Sequence, residues 1–592
     1  MAEENIHLIS LETGGNQAYI FATNKLRNVV GASELLYRVG TSYVERAVKA
    51  ATGRDFKVAE IAEEPQIDAI ESKGIEVIVA TSGKALLLAR GAETARKFIR
   101  EWSRIVADEA PGVDAAAVFS KTPVDLSLPL DTTKITDPEK VKTSYMEVYH
   151  ETERLMTIQR TSEGMPVGRF PRLPIVAECA YSGLPVDVKR VRKDDLLFSA
   201  SSLAQRRTSR DAIFATRMKG LFPGGGGEHV LRGLDSLENL DWLAVVHADG
   251  NGLGQLFINF ADHVKALVNG REANGRDYIT HYRAFSSALD KISRESFIKA
   301  VEEIWPDKDS KKPDIVPIVV GGDDLTVVMD GYRSLEFTKL FMEKFCDETA
   351  RHPDTKDILK CAGLPQLGMC AGVSIVKPHF PFSQAYDLAE GLMNNAKQVK
   401  NQYGKDSIAL DFHILYDSVS TSIADIRERL KIKEGNAKGR TRILTAKPYV
   451  IRKSEAQKKA TEGKEEKDRR PVEEWEKVHD YKHFENARDA IAKLPSSQAH
   501  AVRDALFSEL VDTQESEWEF LLSTYKREGF EEAWGKVKPD NDNQLYVNVG
   551  PDPDPNKKLG EREYTYFLDA LEALKFQDGK KDKAKGKDGE GS

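Results

Sequence analysis

Three aspartates in two short motifs are the residues of this sequence best suited to metal chemistry. Asp249 lies in HADGNGLG, and Asp323 and Asp324 lie in VGGDDLT, 74 positions further on when counted from 249 to 323. Carboxylates gathered at one place repel one another unless divalent cations, which prefer oxygen ligands, neutralise them. Two such ions about 4 Å apart can bridge a triphosphate, polarise a 3′-hydroxyl and stabilise leaving pyrophosphate. The motifs therefore predict nucleotidyl transfer with two Mg²⁺ or Mn²⁺ ions.

The small residues of the same motifs are expected to bring the backbone close to the phosphates of a nucleotide. The residues with this expected role are Gly250, Asn251, Gly252, Gly254, Gly321 and Gly322. Gly250 is also assigned to the metal site, beside Asp249. The opposing interpretation is that GG and DG dipeptides are ordinary hairpin turns and that aspartates at strand ends are solvated. The occurrence of both motifs in one suitable element order favours the metal site.

Two polar residues further along the chain are weaker candidates for nucleotide binding. Lys397, in GLMNNAKQVK, follows the fourth strand of the predicted domain and could bring a cation to the β- and γ-phosphates. A solvated lysine on a helix face is the alternative. Ser374, in AGVSIVKP, could line the base or sugar pocket, or it could be a strand serine that bonds to the backbone.

The elements that must position these residues follow from residue 241 onward. Apolar runs and helical patterns alternate in the order βααββαβαβ, with GGDD as a tight turn between the second and third strands. Such an order gives a small antiparallel sheet backed by helices, the α/β (α+β) ferredoxin-like arrangement of polymerase palms and nucleotidyl cyclases. Strands one and three are neighbours in this fold. The two motifs should therefore meet.

The amino-acid composition limits the possible classes of protein and of binding partner for the chain as a whole. Its 592 residues, 40% of them hydrophobic and 30% charged, are too many for one core. A net charge of −8 excludes a protein that coats nucleic acid, so any such contact must be local. The four cysteines form no CxxC pair, which fits a reducing cytoplasm and predicts no zinc site. No run is apolar enough for a membrane span or a leader peptide, so we expect a cytoplasmic protein.

Shifts in composition divide the chain into five parts. Strand 6–12, a helical pattern with its entry near Ser33, a hairpin around TSGK and mostly polar helix over 130–170 indicate a first domain. The predicted parts are a degenerate first palm (1–170), a basic connector with a remnant of a zinc module (171–240), the catalytic palm (241–420), a helical C-terminal domain (421–575) and a disordered tail (576–592).

The motifs together resemble a known family. HADGNGLG, GGDDLT and AGVSIVKPHFPFSQAYDLAEGLMNNAK resemble the second palm domain of the large subunit of type III CRISPR effectors, the Cas-ten family, and NQAYIFATNKLRNVVGASELL resembles the opening of its first palm. The resemblance implies a cyclic oligoadenylate product made from ATP, with Asp249, Asp323 and Asp324 as metal ligands. It also implies that Ser33 contacts a second nucleotide between the palms. Helix capping is the alternative for Ser33.

The sequence also departs from that family. TSGK, at 81–84, replaces the acidic hairpin in the first palm, which should therefore form only the opposite wall of a composite pocket. Many members begin with an HD nuclease domain, whereas here we expect none and no DNA cleavage. The pair His479-Asp480 is interpreted as a solvated helix face. Cys179 alone stands where a four-cysteine zinc module is common. These departures favour a form that acts alone, with a downstream effector activated by its product.

Two other functions remain open. The chain could be an RNA-binding scaffold alongside CRISPR backbone subunits, with basic segments 189–210 and 438–453 holding the RNA. It could also be a diguanylate cyclase, which shares the palm but normally has an aromatic residue where Leu325 stands. Retention of all three acidic residues argues against pure scaffolding.

Overall fold

The architecture is described from a computed structural model of the full chain. The structure describes residues 5–67, 74–131, 135–136, 141–162, 175–187, 197–209, 237, 239–268, 270–306, 314–416, 422–433, 440–453, 477–508, 511–527, 529–537, 544–551 and 561–576. The predicted tail after 576, the GGGG run at 224–227 and the KRVRK cluster lie outside these ranges. Within them, no helix combines the length and hydropathy that crossing a membrane demands.

The N-terminal region forms a four-stranded antiparallel sheet. Its strands are β1 (Ile6–Gly14), β2 (Ile75–Thr81), β3 (Lys84–Arg90) and β4 (Asp114–Phe119), and they lie in the order β2-β3-β1-β4. Its helices are α1 (Asn16–Ile20), α2 (Leu26–Gly40), α3 (Ser42–Thr52) and α4 (Ala92–Glu109). This is the ferredoxin-like strand order predicted for a palm.

After this sheet come β5 (Ile135–Thr136), β6 (Val141–Lys142), α5 (Tyr145–Ser162) and α6 (Ala200–Thr208). Among the described residues of 130–170, the prediction of polar helix is correct for α5 and wrong for the short strands β5 and β6. Helix α6 packs on α2 so closely that a Cβ at Gly31 would meet the Gln205 carbonyl oxygen at 1.8 Å. This part of the connector therefore belongs to the packed structure.

The second sheet repeats the order of the first. Its strands are β7 (Leu243–Gly250), β8 (Ile315–Gly321), β9 (Asp324–Asp330), β10 (Met369–Val376) and β11 (Ile408–Ile414), joined by a sixth strand at Tyr449–Arg452. Its first four strands lie in the order β8-β9-β7-β10. Its helices are α7 (Leu253–Ile258), α8 (Phe260–Leu267), α9 (Gly275–Ile304), α10 (Ser334–Arg351), α11 (Pro353–Cys361), α12 (Phe382–Ala396) and α13 (Val399–Tyr403).

The strands of the second sheet form because their residues are β-branched or apolar almost throughout, and both faces are covered. Strand β10, MCAGVSIV, is buried at every position. Helix α12 lies directly on it: a Cβ at Gly372 would meet the Ala389 carbonyl oxygen at 2.0 Å. This close approach fixes the end of α12, and with it Lys397, relative to the sheet.

The two palms are interlocked rather than merely adjacent. Helix α9 of the second palm packs on β2 of the first, where Glu76, with no exposed side chain, accepts hydrogen bonds from Arg276 at 2.7 Å and Arg283 at 2.6 Å. In the opposite direction, α2 packs on β8, and the Ser33 hydroxyl donates to the Ile318 carbonyl. The relative position of the palms is therefore set by buried contacts.

The sequence predicted a helical C-terminal domain, but the C-terminal region also contains β-strands. Strands β12 (Lys431–Lys433), β13 (Thr441–Ile443), β15 (Val547–Pro551) and β16 (Glu561–Tyr564) form a separate sheet, and Tyr449–Arg452 is β14 of the second-palm sheet. Its helices are α14 (Ile423–Glu428), α15 (Tyr481–Ile491), α16 (Ser496–Leu506), α17 (Val511–Thr524), α18 (Phe530–Gly535) and α19 (Phe567–Leu574). Strands of three to five residues leave little periodicity to detect, and β13 pairs with β16 across more than a hundred positions.

Two local interpretations are wrong. Helix α2 begins at Leu26 rather than near Ser33, which lies in its interior, so Ser33 cannot cap it. His479 is not on a solvated face: it is 6% exposed, and its Nδ1 lies 2.7 Å from the Ala446 carbonyl oxygen. A single histidine in a charged segment of the sequence did not indicate that its side chain would be buried.

Candidate active site

The two acidic motifs meet at one end of the second palm sheet. Strand β7 pairs with β9, with Ala248 opposite Leu325, and continuing this antiparallel register places Asp249 opposite Asp324. The hairpin between β8 and β9 turns through Gly322, whose φ of 62° is one that glycine adopts without strain. The ends of neighbouring strands thus deliver both motifs to the same point.

Asp249, Asp323 and Asp324 each contribute a carboxylate oxygen to a group whose members lie within 4.8 Å of one another. Gly250 makes this possible because a Cβ there would meet the Asp323 Cβ at 2.7 Å. The Gly250 N–H also donates to the Asp323 carboxylate. The absence of a side chain at 250 therefore decides where Asp323 can sit.

Electrostatics at the cluster are unfavourable for bare carboxylates. Desolvation raises the pKa of Asp323, although backbone N–H groups of Asp323 and Gly250 oppose the shift. Desolvation, followed by the Asp323 charge, raises the pKa of Asp324. Dense protein surrounds Asp324, but its side chain is exposed on one side. Water on that side screens part of the Asp324 charge.

Lys397 supplies the one cationic side chain paired with this cluster in the described part of the chain. It follows the last residue of α12, and its Nζ contacts the Asp249 carboxylate. Desolvation lowers the pKa of Lys397, and the nearby Lys400 lowers it further. The predicted phosphate-binding lysine is therefore placed at the acidic site.

A cavity of about 330 Å³ opens at the hairpin, between the two palms. Asp323 and Asp324 line it from the second palm, together with Gly321 and Gly322. Ser33 and residues 81, 82 and 84 of the first palm line the opposite side. The volume lies within the range of small-molecule sites in proteins. The wall is thus composite, as the sequence predicted.

Two predicted nucleotide contacts do not reach the cavity. Ser374 is fully buried, and its hydroxyl donates to the Ala385 carbonyl at 2.6 Å, which agrees with the alternative interpretation of a backbone-bonded serine. Asn251 is 1% exposed, and its side-chain amide donates to the Ser407 carbonyl at 3.0 Å. Both side chains are buried and donate to the backbone, so neither reaches the cavity, and a nucleotide-binding role for either side chain is wrong for this structure.

The remaining glycines of the first motif serve the turn into α7. Gly252 is the residue before that helix, with φ of 75°, and a Cβ there would meet the Lys405 Cδ at 2.9 Å. Gly254 is exposed, with open space where a Cβ would lie. Their contact with a nucleotide stays a prediction.

Sequence reasoning missed two polar residues of the cavity wall. His247 precedes Asp249 by two positions, so the period of a strand puts both side chains on one face. Burial, and then Lys397, lowers its pKa to about 4, and its Nδ1 lies 3.0 Å from the Thr326 hydroxyl. Tyr386, on α12, lies beside the His247 ring and gave no signal in the sequence. The alternation of side chains between the two faces of β7 could have identified His247 as a residue on the same face as Asp249.

The first palm carries a different arrangement at the equivalent place. Glu12 of β1 faces Lys84 of β3, and the Lys84 Nζ lies 3.0 Å from the Glu12 carboxylate. Arg160 contacts the same carboxylate at 3.3 Å. A lysine and an arginine therefore pair with Glu12, the acid that faces this hairpin.

The donor set of the second palm fits a divalent metal. Three carboxylates without a histidine or cysteine form a hard oxygen site, suited to Mg²⁺ or Mn²⁺ rather than zinc. The raised pKa values of Asp323 and Asp324 mark unneutralised charge that a cation would relieve. Among the described residues this is the one such cluster.

Comparison with known families agrees with the geometry. Residues 242–409 match the sequence profile of the family described as Cas10/Cmr2, second palm domain. This segment is a Cas10/Cmr2 second palm. The match spans β7 to the start of β11 and so includes all three aspartates of the cluster. No curated protein sequence matches the chain.

Solved structures that resemble this chain are remote in sequence. A Csm1-Csm4 cassette in complex with AMPPNP is 14% identical, with 69% of this chain and 54% of that chain covered and a TM-score of 0.39. A Csm1-Csm4 cassette in complex with cA3 is 12% identical, with 97% and 70% covered and a TM-score of 0.43. Csm1 in T. onnurineus is 13% identical, with 69% and 53% covered and a TM-score of 0.33. The chain thus spans about half the length of the first of these structures.

Proposed function

We propose that this chain is a metal-dependent nucleotidyltransferase that makes a cyclic oligonucleotide, cyclic oligoadenylate from ATP, as a second messenger in antiviral defence. The observation that carries the proposal is the convergence of three carboxylates within 4.8 Å at the edge of a cavity between two palms. The Cas10/Cmr2 second-palm match supports the same class of chemistry.

The roles of the residues follow from their places. Asp249, Asp323 and Asp324 would hold two Mg²⁺ or Mn²⁺ ions, which when bound polarise the attacking hydroxyl and stabilise the pyrophosphate that leaves. Gly321 and Gly322 keep the hairpin free of side chains where the triphosphate would enter. The buried contacts between the palms would fix the first-palm wall of the cavity relative to the three aspartates. Two nucleotides could then be held in the geometry for in-line attack.

The first-palm wall would position the nucleotide whose 3′-hydroxyl attacks. Ser33 lies on that wall, with its hydroxyl donated to Ile318 across the palm interface. Its oxygen can still accept a hydrogen bond from a ligand. Contact between Ser33 and the second nucleotide thus remains part of this proposal.

The partners we propose are nucleoside triphosphates, RNA and the backbone subunits of a CRISPR effector, with an effector protein downstream that responds to the cyclic product. The second-palm match motivates this set. Arg206, Arg207 and the stretch 440–453 are the described parts of the predicted basic segments. Salt-dependent retention of RNA by the purified chain would test the RNA contact separately from catalysis.

The deciding experiment incubates the purified chain with each of the four ribonucleoside triphosphates and Mg²⁺ or Mn²⁺, with and without RNA, and identifies products by mass spectrometry. We expect cyclic adenylates that vanish in the Asp323→Ala/Asp324→Ala variant. Asp290→Asn is a matched control, because Asp290 lines the same cavity but pairs with Arg294 at 3.1 Å. A product of guanine would favour a diguanylate cyclase. No metal-dependent product, or one that survives the double substitution, would overturn the proposal.

A further inference from the structure

The pairing of Lys397 with Asp249 is a contact that the proposed chemistry does not use. The two side chains are 22% and 23% exposed, so their pair is partly shielded from water. Asp249 is also a member of the three-carboxylate cluster. One of the three acids that would hold metal is therefore already neutralised by an ammonium group of the protein.

The backbone around Lys397 is fixed by packing, whereas its side chain is held by the contact with Asp249. Helix α12, which ends one residue earlier, is seated on β10 at Gly372, and the Asn395 amide donates to the buried Asp411 carboxylate at 2.6 Å. The four-carbon stem of lysine carries its charge on a flexible chain. Exchange at Asp249 thus requires only rotation of that stem.

The first palm provides an internal precedent for an ammonium at this position. There the Lys84 ammonium pairs with Glu12, which occupies the strand position equivalent to Asp249. Lys84 belongs to the hairpin strand and has Glu12 as its direct neighbour across the sheet. Lys397 reaches in from a helix instead. In the first palm both members of the charge pair therefore belong to the sheet. In the second palm the ammonium comes from a residue that follows a helix.

We infer that Lys397 is an exchangeable counter-ion of Asp249: its ammonium neutralises the carboxylate in the metal-free protein and must leave when a divalent ion binds. This inference rests on the metal site of the proposed function. An ammonium and a divalent cation on the same carboxylate repel each other, and the lone pair that accepts from the ammonium is not available to the metal. The Lys397 contact therefore weakens metal binding, and metal binding releases Lys397.

The first test measures Mn²⁺ affinity by electron paramagnetic resonance on the metal-free full chain, without nucleotide. We expect Lys397→Met to bind Mn²⁺ roughly three- to tenfold more tightly than the wild type, the range for removal of a partly shielded competing ion pair. Lys397→Arg, which keeps the charge, should stay near the wild-type affinity. Lys400→Met is the matched control: it removes a charge close to Lys397 but not the Asp249 pair, so its affinity should change less than twofold.

The second test follows Lys397 itself by acetylation with an amine-reactive reagent and mass spectrometry. Addition of Mn²⁺ should increase labelling of Lys397 several-fold, and Asp249→Asn should give the increased labelling without metal. Labelling of Lys400 should not change. Unchanged Lys397 labelling on addition of Mn²⁺, with binding confirmed in the same sample, would overturn the inference.

The outcomes separate this inference from the proposed function. If the wild type binds Mn²⁺ and makes product but Lys397→Met binds no more tightly, the exchange is wrong and the function stands. If Lys397→Met binds more tightly but neither protein makes product, the exchange stands and the function fails. If neither protein binds Mn²⁺, both are wrong.

Discussion

The two palms have the same strand order but differ in the charge at their hairpins. In the first, Glu12 stands opposite Lys84, and in the second the continued register puts Asp249 opposite Asp324. An acid–base pair is neutral by itself, whereas two acids need a cation from elsewhere. The exchange between Lys84 and Asp324 at this strand position is thus one difference between a closed wall and a candidate metal site.

A second exchange concerns the space beside these pairs. In the second palm Gly250 has no side chain, and Asp323 fills the space above it. In the first palm Thr13 has the side chain and Gly83 lacks one; a Cβ at Gly83 would meet the Thr13 hydroxyl at 2.2 Å. At the point where the hairpin approaches the neighbouring strand, each palm therefore has room for only one side chain. The palms differ in which strand provides it.

The largest expected effect comes from removing the acid at equivalent positions. Asp249→Ala should lower the rate of product formation by roughly 10³-fold or more, because a metal ligand is lost. Glu12→Ala should cost about tenfold or less, since that hairpin holds no metal. Initial rates by chromatography measure both. Equal losses in the two variants would contradict the division of roles between the palms.

The next effect tests whether the palms depend on a fixed relative position. Glu76→Ala leaves Arg276 and Arg283 without their shared buried acid, and we expect a loss of about 3 to 5 kcal/mol in the free energy of unfolding. Denaturant titration followed by circular dichroism measures it. Glu93→Ala is the control, because Glu93 is 83% exposed and pairs with Arg96 at 3.6 Å. Similar losses in both variants would show that Glu76 does not fasten the palms.

A smaller effect separates the two glycine positions. Gly250→Ala pushes Asp323 away from the cluster, and we expect a loss of roughly 10²-fold in activity together with weaker Mn²⁺ binding. Gly83→Ala should instead lower stability by about 1 to 3 kcal/mol, because φ at Gly83 is 70° and Thr13 occupies the space, while Mn²⁺ affinity stays unchanged. Wild-type activity of Gly250→Ala would disprove the steric argument.

The smallest expected effect is on stability as a function of pH. Since the folded pKa of Asp323 is raised, the protonated acid favours folding, and this contribution is complete below the unfolded pKa near 4 and is lost as pH rises toward neutrality. Asp323→Asn imitates the protonated acid. It should therefore stabilise the metal-free protein by about 1 kcal/mol at pH 8 and by almost nothing at pH 4. Thermal denaturation at both pH values tests this, and a less stable variant at pH 8 would refute it.

Much of the palm architecture could be predicted because its signals are local. Apolar runs bounded by DG and GG turns marked β7, β8 and β9, and the strand order implied that Asp249 would meet the GGDD hairpin. The burial of Asn251 could not be predicted, whereas a backbone-bonded serine was one of the two interpretations of Ser374. Their polar groups bond to the backbone of Ala385 and Ser407, residues that only the folded chain brings near.

The sequence by itself determined the order of the strands and the residue types at the two hairpins, because a strand's period and a turn's composition are properties of neighbouring residues. Only the tertiary structure decided which charges pair. Lys397 with Asp249, Glu76 with Arg276 and the burial of His479 all join parts of the chain that are distant in sequence. Such pairs depend on how helices are laid across the sheets, and no local pattern records that.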